Sequence, residues 1–179
     1  IQVFADDEAA SHSITSLVLE QGHTRVGFIK GIDSHGATGL RLAGFERACR
    51  EHGITIDGEL IVSGHFDFES GRLAARHLLD LADPPSAIIA SNDDMAAGVL
   101  FEARERNISV PEDVSVVGFD DTPLAQRIWP PLTTVRQPIH QMVRSAVDRL
   151  IKTVGGVSID DGPTRFSCDV VVRQSTQGR

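Results

Sequence analysis

The sequence predicts an α/β fold built on an open, mostly parallel, doubly wound sheet. Two observations predict this class: short apolar segments of strand type alternate with amphipathic helical segments, and turn residues separate them. Parallel strands need long crossover connections, usually helices, which cover the sheet on both faces. The chain has 179 residues, 41% of them hydrophobic, and is long enough for a domain with its own core.

The alternation begins in the first residues of the chain. A helix is predicted over 8–21, because its apolar side chains recur at helical spacing. The segment RVGFIK is a short strand of buried type. A second helix is predicted over 38–53, capped by Thr38 and ended by Gly53.

The same order continues through the middle of the chain. ELIVSG is the second strand, and the helix after it begins at Asp67, whose carboxylate is a typical cap. SAIIAS is the third strand, and DDMAAGVLFEARERN is the helix that follows. A turn at Pro111, Glu112 and Asp113 leads into VSVVGF, the fourth strand.

The last part of the chain is less regular. Prolines interrupt the segment after the fourth strand, and LTTVR is a short strand beyond them. A helix over 139–153 has one apolar side and is broken by Gly155 and Gly156. A final strand is predicted near CDVVVR.

Composition and charge argue against several classes of function. The formal net charge is −8, so this chain alone is a poor nucleic-acid binder. No apolar run reaches the roughly 20 residues of a membrane span, and nothing at the N-terminus resembles a signal peptide. Cys49 and Cys168 lie far apart, which favours reduced thiols and a cytoplasmic location. The histidines lack metal-binding spacing, and we expect neither a metal nor a cofactor.

Polar and aromatic residues follow the predicted strands at their carboxyl ends, where ligands bind in open parallel sheets. With an arginine early in the second helix, they are His35, Arg41, His65, Phe66, Ser91, Asn92, Asp120 and Gln137. An aromatic face, a guanidinium and several amide or carboxylate groups suit a small polar ligand with hydroxyls. Structural interpretations stay open: Asn92 could cap a helix, Phe66 could enter the core, and Arg41 could be a solvated charge.

Two aspartate pairs follow the third and fourth strands, and acids at such positions can hold Mg²⁺ for phosphoryl transfer. However, the first strand does not end in an acid, and the chain has no P-loop, GxSxG or Cys/His nucleophile pattern. We therefore predict that the chain is not an enzyme. Asp93 and Asp94 are assigned to the helix N-terminus, Asp121 to capping the turn that follows, and Asp120 alone to the ligand.

Five segments in sequence order carry a resemblance to a known family: LEQGHTRVGFIKG, RLAGFERAC, SNDDMAAGVL, VPEDVSVVGFDD and PPLTTVRQP. With them, nearly the whole chain resembles the effector-binding domain of the LacI/GalR family of bacterial transcription repressors. The resemblance implies the fold of type I periplasmic binding proteins, in which two similar α/β lobes enclose a ligand cleft.

The resemblance also implies roles for the residues at the strand ends. Arg41 corresponds to an arginine that bonds ligand hydroxyls or a carboxylate, and Phe66 to an aromatic that stacks on the ligand. Asn92 and Asp120 resemble the amide and carboxylate that hold ligand hydroxyls. The remaining implied contacts are the loop of His35 and Ala37, the hinge-side Gln137 and, more weakly, Asp7.

The resemblance divides the chain between the two lobes. Residues 4–136 and 165–175 correspond to the C-terminal lobe, and the helix within 138–155 to the N-terminal lobe. The DNA-binding headpiece of the family is absent from this sequence, so we expect no DNA binding by the chain alone. The helix over 139–153 lacks its usual partner, and we expect it to be swapped, to pack between molecules or to be mobile.

The C-terminal lobe of this family also forms homodimers. The corresponding residues here are Leu124, Ile128 and Trp129, with the helix over 96–106 that includes Leu100 and Arg104, although Trp129 could instead be core. The implied function is sensing of a small effector, a sugar or nucleobase-like molecule, by a repressor that contacts operator DNA through its headpiece and no membrane. The alternative is a solute-binding protein of a sugar transporter, which shares the fold.

Overall fold

The computed structural model describes residues 1–156 and 162–179. The helices are α1 (Asp7–Glu20), α2 (Gly36–Glu51), α3 (Phe68–Leu79), α4 (Asp93–Glu105), α5 (Pro123–Arg127) and α6 (Ile139–Val154). The strands are β1 (Val3–Ala5), β2 (Val26–Lys30), β3 (Ile61–Ser63), β4 (Ala87–Ala90), β5 (Ser115–Val117), β6 (Thr134–Arg136), β7 (Thr164–Phe166) and β8 (Asp169–Val171). β1, β7 and the short helix α5 have no counterpart among the predicted elements.

Four strands form the central sheet in the order β3-β2-β4-β5, and all neighbours are parallel. β6 lies beside β5 through isolated parallel bridges, Val117 to Thr133 and Asp120 to Arg136. It also pairs antiparallel with β8, while β1 and β7 form a separate parallel pair. The predicted α/β class with a mostly parallel sheet is confirmed.

The central strands are apolar because helices cover both of their faces. All four residues of β4 are buried. Ile88 belongs to the hydrophobic cluster that contains α3 and α4, and Ile89 to the cluster that contains α1 and α2. The sheet is therefore doubly wound, and its carboxyl ends carry the loops described below.

Helices α3 and α4 touch backbone to backbone. A Cβ atom added at Gly71 would lie 2.2 Å from the carbonyl oxygen of Met95, and one added at Gly98 would lie 2.2 Å from that of Phe68. No larger side chain fits at either position without moving a helix. This contact sets the position of α4, whose N-terminus enters the candidate site.

The predicted helix ends agree with the structure in part. Asp67 caps α3 by accepting a hydrogen bond from the Ser70 amide at 2.8 Å. The prediction that Thr38 caps α2 is wrong, because α2 begins at Gly36 and the Thr38 hydroxyl instead donates to the Ile32 carbonyl at 2.7 Å.

Helix α6 presents an apolar stripe to solvent. Ile139, Val143, Val147, Leu150 and Val154 recur every three or four residues and are 47% to 81% exposed. No residue of the helix is buried. Its Arg149 donates hydrogen bonds to the Thr164 hydroxyl at the start of β7 and to the Gly162 carbonyl. Among the described helices, none is long and apolar enough to cross a membrane.

Candidate functional site

The carboxyl ends of β2, β4 and β5, with the segment after β6, hold a connected group of polar side chains. Arg41 is at its centre. It is only 6% exposed, although an arginine on a helix is usually solvated. The structural alternative of a solvated charge is therefore wrong for Arg41.

Four contacts fix the guanidinium of Arg41. Its Nε donates to Asp7 Oδ1 at 2.7 Å, and its Nη1 donates to the Ser91 carbonyl at the end of β4. Its Nη2 lies 3.6 Å from Asp120 Oδ1. Its Cζ stands 3.7 Å above the centre of the Phe119 ring, a cation–π contact. The guanidinium is thus held in one orientation.

Asp120 carries the second fixed charge. Its φ of 110° is rare for a residue other than glycine and turns the chain sharply after β5. Its amide donates to the Val135 carbonyl at 2.8 Å, and its Oδ1 accepts from Gln137 Nε2 at 2.6 Å. Burial raises the pKa of Asp120 to about 6, although Arg41 and Gln137 act in the opposite direction.

Phe66 follows β3, which lies on the opposite side of β4 from β5 and Asp120. Its φ is 63°, and its ring covers Gly31 so closely that a Cβ atom added there would lie 1.9 Å from the ring Cζ. Its centroid is 5.5 Å from that of His35. The residue after β2 must therefore be glycine for the ring of Phe66 to occupy this position. Ala37 lies close by in sequence, half-buried in the first turn of α2.

Asn92 holds the Phe66 loop and is also a helix cap. Its Oδ1 accepts from the Met95 amide at 2.9 Å at the start of α4, and its Nδ2 donates to the Phe66 carbonyl at 2.9 Å. The capping alternative is thus confirmed. The same side chain also holds the Phe66 loop, which could not be read from helix spacing.

The four aspartates after the strands do not act as two pairs. Asp93 does not cap a helix: its buried carboxylate accepts from the Thr122 amide at 2.7 Å, from the Thr122 hydroxyl at 3.0 Å and from the Thr134 hydroxyl at 2.6 Å. Burial raises the pKa of Asp93, against these hydrogen bonds, which lower it. Asp94 is exposed.

Asp121 does not cap the turn as predicted. Its carboxylate binds Arg136 Nε at 2.6 Å and Arg173 Nη2. Burial alone would raise the pKa of Asp121, but the hydrogen bonds from Arg173 and Arg136 hold it below its usual value. Within the described residues, no three His, Cys, Asp or Glu side chains come together as metal ligands.

A groove of about 760 Å³ lies away from this site, at the far end of α4. Leu100, Arg104, Val110, Pro111 and Trp129 line part of it. Trp129 is 79% exposed, so the interpretation of Trp129 as core is wrong. Of the other residues predicted at an interface, Arg104 is exposed, and Leu124 and Ile128 are half-buried. Leu100 is buried in the core and also lines the groove.

Known proteins are similar to this chain in sequence and in fold. The signature of the periplasmic binding protein-like domain matches residues 15–176. Over 175 residues, the chain is 37% identical to the HTH-type transcriptional repressor CytR of Escherichia coli K12, covering 98% of this chain and 51% of that protein. The chain spans about half the length of the curated relatives it matches.

Solved structures of transcription regulators have a fold similar to that of this chain. The Escherichia coli transcriptional repressor AscG superposes with a TM-score of 0.90 at 34% identity, covering 98% of this chain and 64% of that one. The transcriptional regulator CelR in complex with cellobiose superposes with a TM-score of 0.92 at 33% identity, covering 97% and 53%. The chain therefore belongs to the periplasmic binding protein-like domain family, in the form found in LacI-family transcription regulators.

Proposed function

We propose that the chain is the effector-sensing and dimerisation part of a bacterial transcription repressor, and that it binds a sugar or nucleoside-like molecule without chemical conversion. One observation carries the proposal: a buried guanidinium, Arg41, is held beside the partly buried carboxylate of Asp120 at the carboxyl ends of parallel strands. The transporter alternative is not favoured, since the relatives named above are transcription regulators.

The geometry supports specific roles for the ligand-facing residues. A hydroxyl placed between Arg41 and Asp120 would accept from the guanidinium and donate to the carboxylate. The rings of Phe66 and His35 form an aromatic wall against which the apolar face of a sugar or a base would pack. Asn92 and Ala37 would contribute contacts at the base of this wall.

The site is connected to the segments that would join two lobes. Asp7, which binds Arg41, begins α1 one residue after β1. Gln137, which binds Asp120, is separated from α6 by Pro138 alone. We assign residues 4–136 and 165–175 to the C-terminal lobe and the helix within 138–155 to the N-terminal lobe. A ligand hydroxyl that competes with Gln137 for Asp120 would then act on the connection between the lobes.

Dimerisation would use the groove at the far end of α4. The exposed indole of Trp129 beside Arg104 and the half-buried Ile128 is the mixture of aromatic, arginine and aliphatic groups that interface cores favour. Operator DNA would be bound through a headpiece outside this chain, because the formal net charge of this chain, −8, disfavours contacts with phosphates. The whole protein would be cytoplasmic.

The proposal is tested on the full-length protein with cellobiose, other neutral sugars and nucleosides, by thermal shift and by release from operator DNA. One ligand class is expected to raise the melting temperature and change operator affinity. Arg41→Ala and Asp120→Ala should each weaken that ligand at least about tenfold, since each removes a charge-assisted hydrogen bond. The exposed Asp94→Ala is the matched control. The site is wrong if both variants respond like the parent.

A further inference from the structure

We infer that Asp7 is a specificity-determining residue, which restricts the site to uncharged ligands by neutralising the guanidinium of Arg41. This assignment rests on the proposed function and goes beyond it by naming the charge of the ligand and the residue that selects it. The resemblance implied only a weak direct contact between Asp7 and the ligand, whereas in the structure Asp7 binds Arg41.

The positive charge of Arg41 is already matched in this structure. Its contact with Asp7 is a close ion pair, 2.7 Å long, between side chains that are 7% and 13% exposed. A second carboxylate, Asp120, lies 3.6 Å from the same guanidinium. One cation thus faces two anions, and charges shielded from water are weakly screened. An anionic ligand placed here would meet a net negative charge.

The hydrogen-bonding directions lead to the same conclusion. Asp7 takes the Nε proton of Arg41, the Ser91 carbonyl takes one from Nη1, and the ring of Phe119 covers one face. The Nη2 of Arg41 lies 3.6 Å from the acceptor Asp120 Oδ1. A neutral hydroxyl satisfies such a neighbouring donor and acceptor, because it both accepts and donates without adding charge, whereas a carboxylate or the dianion of a phosphate monoester only accepts.

Other cations near the strand ends also have carboxylate partners. Lys30 Nζ, at the end of β2, lies 2.6 Å from Asp33 Oδ1. Arg136 Nε, at the end of β6, lies 2.6 Å from Asp121 Oδ2. An anion entering the cleft would therefore have to compete with a carboxylate for each of these cations.

Inorganic phosphate is the probe that tests this assignment, because it needs no knowledge of the natural ligand. Its binding to the full-length protein is measured by calorimetry at about pH 8, where carboxylates are ionised and imidazoles ordinarily neutral, against sodium chloride of equal ionic strength. Asp7→Asn removes the charge but keeps an oxygen that accepts from Arg41 Nε. Asp94→Asn makes the same change in charge outside the site.

We expect no phosphate binding at this site in the wild type and in Asp94→Asn. Asp7→Asn should bind phosphate with an affinity at least about tenfold above the detection limit that bounds the wild type, and adding Arg41→Gln should remove that gain. Wild-type phosphate binding that Arg41→Gln abolishes would overturn the assignment, and so would an Asp7→Asn variant without a gain. If Asp7→Asn does not fold, phosphate binding is still compared between the wild type and Arg41→Gln, and binding by the wild type alone contradicts the assignment. Failure of the proposed function has a separate readout, because in that case no neutral ligand changes operator affinity, whether or not phosphate binds.

Discussion

Asp120 is a carboxylate whose ionised form is destabilised by burial and stabilised by the neighbouring polar groups. Arg41 and Gln137 stabilise the ionised form, but desolvation outweighs them and raises the pKa of Asp120 to about 6. Perturbed carboxyls of this kind concentrate at functional sites. The raised pKa of Asp120 makes the free energy of unfolding depend on pH, and this dependence can be measured without a ligand.

We predict that Asp120→Asn becomes more stable relative to the wild type as the pH rises. The folded chain binds the Asp120 proton more tightly than the unfolded chain, whose aspartates titrate near their ordinary value of about 3.9. The stability from this proton is thus fully present below about pH 4 and lost as the pH rises through about 6. Because part of Asp120 remains in water, the relative gain from pH 4 to pH 7.5 should be roughly 1 to 2 kcal/mol.

The measurement is urea unfolding of both proteins at several pH values. Asp94→Asn, on the exposed side of α4, serves as the control and should track the wild type across this range. A constant difference between wild type and Asp120→Asn at all pH values would contradict the prediction.

At the level of the elements, the contact between α3 and α4 determines where the site residues lie. Gly71 and Gly98 let the two backbones touch. The N-terminus of α4 is thereby placed so that Asn92 donates to the Phe66 carbonyl and Asp93 accepts from the Thr122 amide. Asn92 and Asp93 thus anchor the two loops that carry Phe66 and Asp120. The N-terminus of α4 is therefore a structural base for the site.

We predict that Gly98→Ala destabilises the chain by about 1 to 3 kcal/mol, the usual cost of overpacking. The added methyl would lie 2.2 Å from the Phe68 carbonyl oxygen, so the helices must separate. Gly39→Ala in α2 is the matched control, because its methyl meets nothing within 4 Å; it should be neutral or stabilising. Equal free energies of unfolding for the two variants would show that the helix contact is not tight.

On the scale of the whole molecule, the described residues expose several apolar side chains, and two of the surfaces that they form concern association with other protein surfaces. One is the groove bordered by Trp129, and the other is the stripe along α6. Exposed apolar patches of this kind mark interaction sites. The proposed division into lobes assigns the first to a second copy of the protein and the second to the N-terminal lobe.

We predict that Trp129 becomes buried when the protein dimerises. Trp129 is the only tryptophan of the chain, so its emission maximum should shift to the red on dilution, and Trp129→Ser should be monomeric at concentrations where the wild type dimerises. Sedimentation of Val143→Glu separates association through α6 from association through the groove, because this change disrupts only the α6 stripe. An emission maximum that stays constant while sedimentation shows dissociation would remove Trp129 from the interface.

Local patterns were sufficient to predict the order of the helices and central strands, the mostly parallel sheet and the cap at Asp67. Hydrophobic period and capping act over a few residues, so they can be read along the chain. The same patterns placed Arg41, Phe66, Asn92 and Asp120 near the strand ends. They did not show what each of these side chains contacts.

Tertiary structure decided the roles of the other aspartates and the exposure of Trp129. Asp121 binds Arg173, 52 positions away, and Asp93 binds Thr134, 41 positions away. Such partners depend on which strands become neighbours and how the helices pack on them, and no local spacing encodes either. Asp7 shows the same limit, since its pairing with Arg41 exists only because α1 and α2 pack side by side on one face of the sheet.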